Sequence, residues 1–208
     1  MNILICDDHK IVRDGLRQIL HQLEGMNTIM EAGDGNEALA LLKKDVFEIV
    51  LLDISLPGRS GLEVLQSIKS LWPSTNVMML SMHPQEQYAI RALKLGASAY
   101  LTKDTASEEL LLAIRKVSEG GKYISQSLAE NFALLMNKDA QKQKHDLLSS
   151  REFEIMIKIA NGKPLLEIAN ELFISNKTVS TYRSRIMEKM ELSKNTELTR
   201  YCIENSLI

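Results

Sequence analysis

The sequence predicts an α/β unit of (βα)5 order around a parallel sheet, followed by a small all-α unit. Three observations carry this. Short apolar runs at residues 2–6, 27–32, 49–52, 77–80 and 99–101 alternate with longer stretches whose apolar residues recur at three-and-four spacing. The central run, Ile49-Val50-Leu51-Leu52, is apolar at every position, as in a parallel strand covered on both faces, and ends in Asp53 with a turn at Pro57. Beyond residue 146 the apolar runs cease and only helical periods remain.

Taken in order, the first helix is marked by Ile11, Leu16, Ile19, Leu20 and Leu23, and the second by Ala38, Leu41 and Leu42 after the opening pair Asp34-Gly35. Ser60-Gly61 opens a third with Leu62, Leu65, Ile68 and Leu71, and Ala89, Ile90, Leu93 and Leu95 mark the fourth. The fifth holds Leu110, Leu111, Ile114 and Val117 and closes at Gly120-Gly121. Residues 127–136 are apolar enough for another helix, whereas 137–145 are polar and aperiodic, the pattern of a solvated linker. A serine ahead of Glu152 caps a helix holding Phe153, Ile155, Met156 and Ile159, which Asn161-Gly162 ends. Helices over 164–172, 176–190 and 195–205 follow. The expected division is one domain over 1–122, a linker with a helix over 123–146, and a second domain over 147–208.

Of the 208 residues 45% are hydrophobic and 25% charged, with no run of eighteen apolar residues, which predicts a soluble, folded chain with no membrane span. The N-terminus enters a strand and reaches two acids before a signal peptide is complete, so a cytoplasmic protein is expected. Cys6 and Cys202 lack any metal-ligand spacing and read as reduced, buried thiols. The net charge of −2 conceals an asymmetry: residues 1–137 hold 13 Lys+Arg against 17 Asp+Glu, and 138–208 hold 12 against 10. A basic C-terminal piece makes an anionic partner worth testing.

Parallel strands in this order bring the ends of the first, third, fourth and fifth runs to one sheet edge, where open α/β sheets place their chemistry. Those ends carry Asp7 and Asp8, Asp53, Ser81 and Lys103. Carboxylates gathered there repel one another unless a cation joins them, and a hard, oxygen-preferring ion such as Mg²⁺ suits them. Beside such an ion Asp53 can act as a nucleophile toward phosphorus, with the Lys103 ammonium offsetting charge and the Ser81 hydroxyl donating to phosphoryl oxygens. Met79 and Met82 read as core or near-core side chains and His83 as an exposed loop residue.

Asp7-Asp8, Asp53 with Pro57 and Gly61, Ser81, and Lys103 with Tyr100 three residues earlier together resemble the receiver domain of two-component response regulators. The resemblance implies a flavodoxin-like fold, Asp53 as phospho-acceptor, and Asp7 and Asp8 as the acids that hold Mg²⁺. Asp8 would be a direct ligand and the backbone carbonyl of Ser55 a further one. It also implies a switch pair of Ser81 and Tyr100, with the hydroxyl drawn to the phosphate and the ring turning inward, and a histidine kinase as phosphoryl donor.

In the C-terminal part, helix 164–172, the short connection Phe173-Ile174-Ser175 and helix 176–190 have the form of a helix-turn-helix whose second helix fits the DNA major groove. Wound at about 100° per residue, Val179, Ile186 and Met190 face the core with Tyr182 and Arg183 at its edges. The outer side presents Lys177, Ser180, Thr181, Ser184 and Arg185. Short hydroxyl side chains there can approach base edges, while Lys177, Arg183, Arg185 and Lys189 can neutralise phosphates. Thr178, at the helix start, completes the expected double-stranded DNA contacts.

Leu148-Ser149-Ser150-Arg151-Glu152, Glu167-Ile168-Ala169, Ile174-Ser175, Lys177-Thr178-Val179, and Ile186 with Lys189-Met190 resemble the LuxR-type four-helix DNA-binding domain. The whole chain is thus similar to the NarL/FixJ family of bacterial response regulators. Tyr182 stands where many members have His, and Ser180 and Ser184 where some have Lys. What the likeness implies is a transcription factor rather than a turnover enzyme, acting as a homodimer on DNA, because one short recognition helix contacts too few base pairs alone. The last helix, with Thr196, Leu198, Thr199, Tyr201 and Cys202, is the candidate dimer contact. Two other readings stay open. A haloacid-dehalogenase-like phosphatase also uses a strand-end Asp with Mg²⁺, but normally has a second acid where this chain has Ser55. A receiver regulated without phosphorylation keeps the fold and drops the chemistry.

Overall fold

The computed structural model describes residues 1–82, 86–105, 107–125 and 143–208, and the chain divides into two compact units. The helix expected over 127–136 and the loop residue His83 lie outside the described residues.

In the first unit β1 (Asn2–Cys6), β2 (Thr28–Ala32), β3 (Ile49–Asp53), β4 (Asn76–Ser81) and β5 (Ala99–Thr102) pair in parallel in the order β2-β1-β3-β4-β5. Helices α1 (Lys10–Leu20), α2 (Gly35–Leu42), α3 (Gly61–Leu71), α4 (Glu86–Lys94) and α5 (Ser107–Ser118) connect them. The chain leaves β1 toward β2 on one side and returns to β3 on the other, so a crevice opens between the carboxyl ends of β1 and β3. Register then aligns the strand ends: Cys6 lies opposite Leu52, Asp53 opposite Leu80, and Ser81 opposite Thr102. Ile3, Leu4, Ile5, Ile49, Val50, Leu51 and Leu52 have no solvent exposure, because helices cover both faces.

Local chemistry fixes where the helices start. The Asp34 carboxylate accepts from the Asn36 and Glu37 N–H groups, and Ser60 with Glu63 forms a reciprocal capping box. Gly61 is required by crowding. Its N–H donates to the Ile54 carbonyl at 2.8 Å, and a Cβ here would lie 1.9 Å from the Asp53 carbonyl oxygen. Past α5 the Tyr123 N–H donates to Ser98 O at 2.9 Å and the Tyr123 hydroxyl to Glu109 at 2.9 Å, so this unit's pairing reaches one residue beyond 122. One sequence expectation changes, and two of the apolar residues that mark helices face outward. Met82 is 69% exposed because β4 ends at Ser81, and Ile11 and Leu71 lie on the outer faces of their helices.

The second unit contains α6 (Ser150–Ala160), α7 (Leu165–Glu171), α8 (Asn176–Met190) and α9 (Asn195–Glu204), preceded by a 3₁₀ turn at Lys144–Leu147. Helix α6 lies at its centre, with Phe153, Ile155 and Met156 buried together with Ile168, Val179, Ile186, Met190, Leu198 and Cys202. Ser149 caps α6 through a box with Glu152, and Ser175 caps α8 by accepting from the Thr178 N–H. Between α7 and α8, Phe173 turns the chain in the left-handed region (φ 53°), a costly conformation for a bulky residue. Arg151 is buried, pairs with Glu154 at 2.7 Å and donates to the Leu172 carbonyl at 3.1 Å, tying α6 to that turn. Where the sequence extends the linker to 146, Lys144 instead bonds Met190 O and Glu191, and His145 lies 2.9 Å from the Tyr201 hydroxyl.

The two helical glycines of α1 and α3 give opposite expectations. Gly61→Ala is expected to cost about 2 kcal/mol or more in urea unfolding, since the obstruction is backbone. Gly15→Ala, with nothing within 4 Å of its Cβ position, is expected to be neutral or to stabilise by up to about 1 kcal/mol.

Candidate functional site

The crevice between β1 and β3 gathers most of the acidic residues the sequence singles out. The Lys103 ammonium lies 2.7 Å from Asp7 Oδ2 and 2.8 Å from Asp53 Oδ2, with side-chain exposures of 5%, 0% and 2%. The lysine is held there because its N–H donates to the Ser81 carbonyl at 2.7 Å, continuing the β4–β5 pairing one step beyond the strand. Asp8, partly exposed, has Oδ1 2.7 Å from the His9 Nδ1. The Asp7 N–H donates to Ala32 O at 3.1 Å and Asp7 Oδ1 accepts from the His9 N–H at 2.9 Å, which orients that carboxylate.

Burial raises the Asp53 carboxyl above the ordinary carboxylate value, Asp7 adds to this, and the Lys103 charge with a Ser55 N–H bond opposes it. Lys103 stays charged: burial favours the neutral amine, but the two carboxylates outweigh it and raise its pKa. The pocket is therefore a low-dielectric ion cluster with two acids sharing one base. Tyr100 is buried with its hydroxyl bonded to Ser81, and burial, with a smaller contribution from Asp53, pushes it up to about 12. The ring thus already points inward beside Ser81. Ser55 is exposed and its N–H turns toward Asp53.

The residues fit a hard cation. Asp7 Oδ2, Asp8 Oδ1 and Asp53 Oδ2 are buried oxygens gathered in one place, the first and last held by the Lys103 ammonium and Asp8 Oδ1 beside the His9 ring nitrogen. Ligand atoms of Asp7, Asp8, His9 and Asp53 all fall within 4.8 Å of one another. Such carboxylate oxygens are Mg²⁺ donors. His9, which the sequence reading passed over, carries no signal beyond its place after the acid pair.

On α8 the core face is as expected, with Met187 buried as well. Lys177, Thr181, Ser184 and Arg185 are exposed, and Ser180 and Thr178 are half-buried. The Ser180, Thr181 and Ser184 hydroxyls donate to the carbonyls of Asn176, Lys177 and Ser180 at 2.9, 3.0 and 3.1 Å. Thr178 Oγ1 joins the Ser175 cap, and Arg183 reaches Asn195. Lys189 lies 2.7 Å from the buried Glu152 carboxylate, so reaching a phosphate would mean leaving that acid. Among the described residues Lys177 and Arg185 make no ion pair, and with Ser175, Thr178, Thr181 and Tyr182 they line an open groove. In α9, Leu198 and Cys202 belong to the unit's own core and Tyr201 bonds His145, while Thr196, Arg200 and Ile203 are among the residues exposed on its outer side. Among the described residues no helix is long and apolar enough to cross a membrane.

A receiver-type α/β module tied to a helix-turn-helix unit is the class these features define. Family models agree: residues 3–115 match the response regulator receiver domain and 146–202 match bacterial regulatory proteins of the luxR family. Response regulator UvrY of Escherichia coli strain K12 is 34% identical over 208 residues, 100% of this chain and 95% of that protein. RcsB of Salmonella enterica serovar Typhimurium, solved on promoter rprA with the phosphomimetic BeF3⁻, is 27% identical, with TM-score 0.65 over 97% of this chain and 98% of that one. A structure of two RcsB dimers on two parallel DNAs gives 28% identity and TM-score 0.62 over 97% of each chain. The chain belongs to the NarL/FixJ family of two-component response regulators, with a receiver and a LuxR-type DNA-binding domain.

The Glu152–Lys189 pair gives a pH expectation. Burial pushes the Glu152 carboxyl up, but the Lys189 ammonium and the Ser149 hydrogen bonds outweigh it and hold it below 4.5. A lowered folded-state pKa contributes stability above the unfolded value that is lost as pH falls through the folded one. Glu152→Gln is therefore expected to cost about 1 kcal/mol at neutral pH, with the gap from wild type closing below pH 4.5 in denaturant titrations.

Proposed function

We propose that this chain is a cytoplasmic transcription regulator switched by transfer of a phosphoryl group from a histidine kinase to Asp53, and that it binds double-stranded DNA as a homodimer. The observation that carries this is the buried Lys103 ammonium shared by Asp7 and Asp53 at the β1/β3 crevice. Bound between Asp7, Asp8, Asp53 and the Ser55 carbonyl, Mg²⁺ would supply charge neutralisation for the transferring group. An Asp53 carboxylate oxygen forms the new bond to phosphorus as the bond to the donor histidine nitrogen breaks. Lys103 offsets the charge delivered beside Asp7. The Ser81 hydroxyl, now bonded to Tyr100, turns to the acyl phosphate, and the rearranged pair alters the surface around α4, β5 and α5. The protein is not a turnover enzyme in this reading, since Ser55 supplies no second carboxylate beside Asp53.

The sequence-based limits of 1–122 for the receiver and 147–208 for the DNA-binding domain, joined by 123–146, are proposed with each domain extended to include Tyr123 and residues 144–146 respectively. On DNA, α8 enters the major groove with Ser180, Thr181 and Ser184 toward base edges. Lys177, Thr178, Arg183 and Arg185 face the backbone, with Lys189 joining them if it leaves Glu152. The outward Thr196, Arg200 and Ile203 of α9 replace Leu198 and Cys202 as its candidate contribution to the dimer.

Incubation with acetyl phosphate, with and without Mg²⁺, followed by intact mass is the test. A phosphoryl mass gain that needs both Mg²⁺ and Asp53, absent in Asp53→Ala, is expected. A folded protein that gains nothing would leave a receiver regulated without phosphorylation. On DNA, Lys177→Ala and Arg185→Ala are each expected to weaken binding and to reduce the slope of log K against log salt by about 1.

A further inference from the structure

The groove beside the start of α8 carries charge of one sign. Ser175, Lys177, Thr178, Thr181, Tyr182 and Arg185 line it, two cations and four hydroxyls with no carboxylate among them. Neither cation makes an ion pair among the described residues. Three of the hydroxyls are engaged within the fold: Thr181 donates to Lys177 O at 3.0 Å, and Ser175 Oγ and Thr178 Oγ1 lie 2.8 Å apart. Tyr182 differs. Half-buried, it makes no hydrogen bond among the described residues, whereas the hydroxyls of Tyr100, Tyr123 and Tyr201 have partners in Ser81, Glu109 and His145.

Position decides what this phenol can meet. Thr178, Tyr182 and Arg185 stand at i, i+4 and i+7, one row along α8, and side chains three or four apart on a helix are neighbours. The row borders the core face of Val179, Ile186 and Met190, while Thr181 and Ser184 occupy the outermost face. On a helix seated in the major groove, the outermost face meets base edges and the flank meets the sugar-phosphate backbone. A phosphate oxygen accepts and never donates, and hydrogen bonds to an ionised acceptor are stronger than those between neutral groups. A hydroxyl that no internal bond claims, beside an unpaired guanidinium, suits such an acceptor.

We infer that Tyr182 is the uncharged member of a phosphate-binding pair: its hydroxyl donates to a DNA phosphate oxygen that the Arg185 guanidinium, one turn further along α8, holds by charge. This rests on α8 being the helix that enters the major groove. Arg185 supplies attraction, which acts on any duplex and weakens with salt. Tyr182 supplies direction. A single hydroxyl bond is made at one seating of the helix against the strand, so it fixes the register of α8 while carrying no sequence information itself. Because nothing in the folded unit uses that hydroxyl, its removal takes away a DNA contact and leaves the fold as it was.

The test compares wild type, Tyr182→Phe, Arg185→Ala and the double variant, each as the full chain after acetyl phosphate treatment. Binding is read on two fluorescent duplexes, one of mixed sequence and one selected by wild type from a random pool. Tyr182→Phe keeps the ring, so its urea midpoint should equal that of wild type. It is expected to bind both duplexes about ten-fold more weakly, as for a lost hydrogen bond to a charged group. The slope of log K against log salt should stay unchanged, because a phenol displaces no counterion. Added to Arg185→Ala, Tyr182→Phe should cost clearly less than it does alone, since both groups hold one phosphate. Unchanged affinity in Tyr182→Phe overturns the inference, as does strict additivity of the two losses. A loss confined to the selected duplex would make Tyr182 a base reader and overturns it too. Failure of wild type to bind either duplex sinks the DNA-binding reading itself, whereas wild-type binding that Tyr182→Phe matches removes this inference alone.

Discussion

A buried ammonium between two buried carboxylates sets the terms for the whole receiver unit. Lys103 is almost inaccessible, and so are Asp7 and Asp53. Gathering such charges away from water is costly, and their mutual attraction offsets the cost only with close geometry, which the fold supplies from three strands at once. Asp7 comes from just past β1, Asp53 from the end of β3 and Lys103 from just past β5, so the registers of β1–β3, β3–β4 and β4–β5 must all be right for the three to meet. The close pass of Gly61 against the Asp53 carbonyl belongs to the same requirement. It lets the chain turn from β3 into α3 while holding the strand end in place.

The DNA-binding unit solves a different problem with the same economy of parts. A four-helix unit has a small core, and α6 gives it a centre by burying nearly all its circumference. Charge is brought in with that helix: Arg151 is paired with Glu154 and bonded to the end of α7, and Glu152 is paired with Lys189 of α8. The first link holds the turn and the second the recognition helix against α6, so an ion pair supports the packing of Val179, Ile186 and Met190.

Much of this was legible in the sequence because the signals are local or periodic. Strand runs, the Asp34, Ser60, Ser149 and Ser175 caps, and the α8 core face all follow from spacing and residue type. The acids, Ser81 and Lys103 were legible because parallel topology alone sends strand ends to one edge. What escaped was set by tertiary distance. Met82 looks like a continuation of β4 and falls beyond it, and Ile11 keeps the helical period yet lies on the outer face of α1. Lys189 has the look of a phosphate contact, but the acid that takes it lies 37 residues away. His9 has no periodicity to betray it, only a neighbouring pair of acids that the fold turns toward its ring.

The three hydroxyls of α8 that donate to backbone carbonyls have a further consequence for reading DNA. With each hydrogen engaged along the helix, the face turned outward offers oxygen lone pairs and a methyl group but no free hydroxyl proton. That surface complements the amino groups of cytosine and adenine and the methyl of thymine, not the acceptor edge of guanine. In the proposed docking, donating to guanine would require a rotamer change and the loss of a hydrogen bond worth about 1 kcal/mol, which biases these three positions against guanine.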